Sequence, residues 1–163
     1  MEFVRPRLTD HFGILTTQNE CSFGIPFLEE DIPLYLDPFL LWKSPSQQDT
    51  ALHFILISAF NKLCSSAYSG HHDHVIDILV DMSECQEAGL GSGLTKRGLR
   101  ISRDKAEEIV SLFKNIPQVK NNGFAHLEII QLLVSDISKD RISDFACNLL
   151  KSFLIDFTQD ECK

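Results

Sequence analysis

A chain of 163 residues with 44% hydrophobic and 23% charged side chains carries enough apolar material for one domain with its own core, which excludes intrinsic disorder. Its formal charge of -8 argues against unassisted binding to nucleic acid or to an anionic membrane, since both need a positive field that releases counterions. Glu2, Arg5, Arg7 and Asp10 interrupt the N-terminus where a signal peptide needs an apolar run, and the longest such run, "FILISAF", is far shorter than a membrane span. The expectation is a cytoplasmic protein with no membrane contact.

Residues 1–45 have no sustained helical period and are punctuated by Pro26, Pro33, Pro38 and Pro45, so this segment is read as extended pieces and turns packed on the rest. Asp37, pushed toward extended geometry by Pro38, belongs at a strand end or turn. From Ser46 the texture changes, because Leu52, Ile55, Leu56, Ala59, Phe60 and Leu63 recur at helical spacing up to Gly70. "HDHVIDILVDM" sets Val75, Ile78, Leu79 and Met82 opposite His74, Asp77 and Asp81 and is read as a second helix, although Ile76, Ile78 and Val80 would also alternate in a strand. A glycine-rich loop follows, then Ser102 as the N-cap of "RDKAEEIVSLFKN", which ends at the Ile116-Pro117 step. "HLEIIQLLVSDI" reads as a buried helix, with a strand as the alternative, and a final helix starts near Ser138 and runs through the last twenty residues. No internal repeat is present.

Three stretches carry candidate chemistry. In "SDISKDRISD", Ile142, Phe145, Leu149, Phe153 and Phe157 form one stripe of the last helix, and Arg141, Asp144, Asn148 and Lys151 form another. Ser138 then caps the helix and Asp140 complements its dipole, a structural use of these charges. The functional alternative makes Asp136, Asp140, Arg141 and Asp144 a catalytic or partner-binding cluster.

The glycine loop puts Lys96, Arg97, Arg100, Arg103 and Lys105 before a helix N-terminus, where the dipole disfavours cations. A bound phosphate or nucleic-acid backbone would account for the placement, although the spacing matches neither standard phosphate-binding glycine motif. "GHHDHVID" offers His71, His72 and His74 beside Asp73 and Asp77, chemistry suited to a transition metal, but no second cluster completes a ligand set. A helix start in solvent explains it better. The five cysteines, Cys21, Cys64, Cys85, Cys147 and Cys162, are widely spaced without a C-x-x-C pair and are read as reduced thiols.

A restriction-like nuclease needs an acidic residue on one strand and an acidic-x-Lys pair on the next to hold magnesium. Asp37 suits the first part, but the only Glu-x-Lys is Glu161-Cys162-Lys163 at the terminus, so the pattern is incomplete.

Together "DIPLYLDPFLLWKS", "EAGLGSG" and "SDISKDRISDFACNLLKSFLIDFTQ" resemble the N-terminal part of an uncharacterised bacterial protein family associated with mobile elements and phage defence. The match in pattern covers most of residues 20–160. Its family-like positions here are Asp31, Asp37, Gly89, Gly91, Asp140, Arg141 and Asp144. Because such proteins are longer, the resemblance implies a short member or a fragment whose catalytic centre lies beyond Lys163.

The expected architecture is mainly α: a helical domain over 46–163 with an extended or β-hairpin segment over 1–45, one domain overall. The expected role is a non-catalytic recognition or assembly module of a defence-related, nucleic-acid-processing system, with a protein partner or a second copy of itself. The alternative is a metal-dependent nuclease using Mg2+ held by Asp37, Asp136, Asp140 and Asp144; otherwise no cofactor is expected.

Overall fold

Four serine or aspartate side chains each begin a helix. In the computed structural model, which describes residues 5–91 and 98–163, Ser46, Ser102 and Ser138 accept hydrogen bonds from the third amide of the helices they precede. These helices are α3 (Gln47–Ser66), α5 (Arg103–Asn115) and α8 (Lys139–Leu149). Asp37 accepts from the second amide, that of Phe39, with Pro38 at the first position of the short helix α2 (Pro38–Lys43). The remaining α-helices are α1 (Leu8–Phe12), α4 (His72–Met82), α6 (Pro117–Asn122), α7 (Glu128–Leu133) and α9 (Lys151–Glu161).

The long helix α3 is the axis of the core. It packs against α2, α4, α5 and α8, and buries Leu52, Leu56, Phe60 and Cys64. Around it close Val75, Ile76 and Leu79 of α4, Ile109, Val110 and Phe113 of α5, and Ile142 and Phe145 of α8. Phe60 lies between Phe124 and Phe145 with ring centroids 5.8 and 5.9 Å away, and Phe113 meets Phe124 edge-on at 5.0 Å. The turn after α6 is pinned by Asn61, which donates to the Phe124 carbonyl and accepts from its amide at 2.9 and 2.8 Å. Gly123 makes that approach possible: its φ is +73°, and a β-carbon there would lie 2.6 Å from Asn61 Nδ2.

The structure is mainly helical, and no N-terminal β-hairpin is present among the described residues. Among the described residues the β-pairing is limited to two isolated bridges, Arg7 with Phe27 and Ile32 with Leu90, and the second joins the N-terminal segment to the glycine loop rather than to itself. The physical reason is the proline spacing. Each proline removes a ladder donor, and Asp37-Pro38 serves as an N-cap and first helical residue instead of a strand end. Two other elements differ from their sequence expectations. The buried helix expected over "HLEIIQLLVSDI" is confined to the six residues of α7, and the last helix breaks at Leu150, where ψ opens to 10° and α9 begins.

Candidate functional site: the Arg141 cluster

Residues 141, 144, 148 and 151 follow one another at spacings of three or four along α8 and into α9, so they share a stripe. That stripe faces the irregular segment leaving the C-terminus of α4. Arg141 Nη1 donates to the Ser83 carbonyl at 2.8 Å, Asp144 Oδ2 at 2.9 Å and Glu84 Oε2 at 3.2 Å, while Nη2 lies 3.5 Å from Asp140 Oδ2. One turn on, Asn148 Nδ2 donates to the carbonyls of Met82 and Glu84, both at 3.0 Å. Lys151 ends the row on Glu87 at 3.3 Å. The Cys85 amide completes the clamp by donating to Asp144 Oδ1 at 3.3 Å.

The Arg141 side chain is only 14% exposed, and its guanidinium is shared among three carboxylates, those of Glu84, Asp140 and Asp144. Burial, with Asp140 and Glu84 nearby, raises the Asp144 carboxyl to about 7 against the opposing pull of Arg141 and the Cys85 amide. Asp31 approaches the same place from the N-terminal segment. Gly91 has φ +142°, and a β-carbon there would meet Asp140 Oδ1 at 2.8 Å and Asp31 Oδ2 at 3.5 Å. Ile32 accepts from the Gly91 amide and donates to the Gly89 carbonyl, so "EDI" and "GLG" are stitched together beside the cluster.

Cys85 and Cys147 lie beneath the charges. Both are buried. The neighbouring Cys147 thiol, with help from the Ala88 amide and Lys151, lowers Cys85 to about 7 against its desolvation and the Glu87 charge, whereas the Cys85 thiol and burial push Cys147 far up.

The sequence candidates therefore separate. Asp140, Arg141 and Asp144 come together, but Asp37 caps α2 and Asp136, highly exposed at φ +61°, faces Lys105 across 4.0 Å. Arg100 pairs with Asp81, and Arg103 with Asp73 and Asp77, so carboxylates of α4 already meet the cations before and at the start of α5. Lys105 reaches Glu108 and Ser135. Lys96 and Arg97 lie outside the described residues. In the histidine stretch, His72 pairs with Glu107 at 3.2 Å. Among the described residues no three His, Cys, Asp or Glu side chains are arranged to hold a metal ion.

Sequence reasoning missed Ser83, Glu84 and the Cys85–Cys147 contact. The available signal was the polar "SEC" just past the apolar face of α4, which says that this segment needs partners but not where they are.

A second feature surrounds α2. Phe39 N–H is shared by Asp37 Oδ1 and Glu128 Oε1, each at 2.9 Å, and the rings of Phe39 and Trp42 pack on His126, which in turn contacts His53 at 3.3 Å. Lys43 lies over the Trp42 ring at 3.9 Å. Burial and the neighbouring His126 lower the pKa of His53. Beside α2, a groove of about 360 Å³ runs between residues 33–40 and the Glu128, Gln131, Lys139 and Ile142 side chains.

No helix among the described residues is long and apolar enough to cross a membrane. No curated protein and no solved structure matches the chain. Residues 13–163 match the family model described as Domain of unknown function (DUF8370), and the chain belongs to that family.

Proposed function

We propose that the chain is a non-catalytic recognition module that docks another protein on the face formed by α2 and the adjoining groove. The observation that carries this reading is the exposure of apolar side chains on a helix that is firmly mounted. Six residues are too few for a stable isolated helix, yet α2 is fixed by the Asp37 cap, by Glu128 and by the Phe39, Trp42 and His126 rings. It nevertheless leaves Leu40 64% and Trp42 42% exposed. Large apolar and aromatic groups held in place lose little freedom on binding, which is how interface anchors work. Leu34 adds to the groove wall, and α7, which supplies Glu128 and Gln131 to the groove, exposes Leu132.

The chain's charge of -8 suits a partner whose apolar contact is rimmed by basic residues. The Arg141 cluster has a structural part in this reading: it holds the α4–α5 connection against α8, whose other flank holds the N-terminal segment through the Leu36 amide and Ser143 Oγ at 2.9 Å. The setting we propose is the one implied by the resemblance, a subunit of a bacterial, defence-related system that processes nucleic acid. Co-purification of the tagged chain with the products of neighbouring genes tests the reading. A stoichiometric partner lost on Leu40→Glu, with the thermal midpoint unchanged, is expected; a partner retained by that variant, or self-association alone, overturns it.

A further inference from the structure

We infer that the contact between His53 and His126 is an acid-operated latch on α2, which holds the Phe39 and Trp42 rings while the pair carries at most one added proton and releases them when it takes two. His53 Nε2 and His126 Nδ1 lie 3.3 Å apart, brought together from α3 and from the segment between α6 and α7. A hydrogen bond between two ring nitrogens needs one of them protonated and the other bare. The neutral pair meets that need, and one further proton is tolerated because it can sit on the far nitrogen of the donor ring. A second added proton sets N–H against N–H and brings two positive rings together, with centroids 5.3 Å apart, where His53 is only 7% exposed. Burial and the neighbouring His126 lower the pKa of His53 in keeping with this arrangement.

The surroundings favour opening over neutralisation. From α2, Lys43 lies over the Trp42 ring at 3.9 Å and the Phe39 ring at 5.6 Å, so the rings that His126 supports already carry one cation. Asp37 and Glu128 share the Phe39 amide, and Asp49, one turn before His53 on α3, accepts from Ser44 Oγ at 2.6 Å. The second oxygen of Glu128 is buried without a hydrogen-bond partner, and among the described residues none of these carboxylates forms an ion pair with either imidazole. The Trp42 and Phe39 rings lie 4.7 and 5.4 Å from His126, so movement of His126 away from His53 takes away the surface on which α2 rests. A helix of six residues does not hold itself. The core rings Phe60, Phe113, Phe124 and Phe145 pack on one another without either histidine, so the change stays local. Acid thereby loosens the face offered by Leu40 and Trp42; that consequence rests on the docking reading, and the latch itself does not.

The test uses the free full chain, in which Trp42 is the single tryptophan. Its emission maximum is followed from about pH 8 to about pH 4.5 beside the far-ultraviolet circular dichroism. The expected result is a shift to longer wavelength with a midpoint below the ordinary histidine value of about 6.5, with the helical signal retained. His53→Gln and His126→Gln, which each leave one titrating ring, lose this pH dependence. No shift, a shift that coincides with loss of the helical signal, or a shift that persists in both variants overturns the inference. Should the variants fold poorly, ring-proton NMR of the unaltered chain reads the pair directly: two of the six histidines titrate in separate steps, the later one together with the Trp42 shift. Titration of all six independently near the ordinary value overturns it equally. No partner is present in these measurements, so a failed latch leaves the docking reading standing, and failed docking leaves the latch standing.

Discussion

Replacing Arg141 by methionine keeps most of the side chain's volume and removes its charge, leaving Glu84, Asp140 and Asp144 around an apolar tip and the Ser83 carbonyl without its donor. Charge-assisted hydrogen bonds contribute roughly 1.5 to 3 kcal/mol each, and removing one partner of a buried ion pair costs about 3 to 5 kcal/mol in all. The lost contacts at 2.8, 2.9 and 3.2 Å on a side chain that is 14% exposed put Arg141→Met in that range at pH 8. The penalty must shrink in acid. A carboxyl that loses its cationic partner has its folded pKa raised further above the unfolded value, so the fold is least penalised below the unfolded pKa and most penalised above the folded one. Urea unfolding of wild type and variant at pH 5 and pH 8 measures both effects. A loss under about 1 kcal/mol at both pH values, or a larger loss at pH 5 than at pH 8, refutes the clamp.

Asp144→Asn tests the same logic from the other side. With the wild-type carboxyl raised to about 7, stability relative to the variant falls as pH rises from about 4 to 8, by no more than about 4 kcal/mol, and the variant loses that slope in pH-dependent unfolding. Phe145→Ala empties a fully buried site against Phe60 and costs about 3 to 5 kcal/mol by urea unfolding. Asp37→Ala removes a cap, but Glu128 still accepts from the Phe39 amide, so thermal or urea unfolding shows a loss of only about 1 kcal/mol.

Local rules reach a good part of this fold. Ser46, Ser102 and Ser138 are legible as caps because a hydroxyl before an apolar period satisfies amides that no other group reaches. Leu52, Leu56 and Phe60 are legible as core through their spacing. The proline-rich stretch misleads, because Pro38, like Pro117 further on, both stops one conformation and starts a helix, and the density of prolines around Pro38 hides the second effect. The break at Leu150 has neither proline nor glycine to announce it. In the candidate site, the stripe Arg141, Asp144, Asn148 and Lys151 follows from helical periodicity alone. Its counterpart does not, since Ser83 and Glu84 are distant in sequence and nothing local pairs them with α8. The same blindness makes Arg100 and Arg103 look like unmatched cations when the partner carboxylates stand one turn apart on α4.

Docking of a protein on α2 and its groove, with the charge cluster holding the scaffold, is tested by quantitative mass spectrometry of complexes purified on the tagged chain, comparing wild type with Leu40→Glu at matched folded concentrations. One protein recovered in stoichiometric amount with the wild type should fall at least tenfold with the variant, equivalent to a loss of about 1.4 kcal/mol or more in binding, while both chains unfold at the same temperature. Equal recovery with the two chains contradicts such docking.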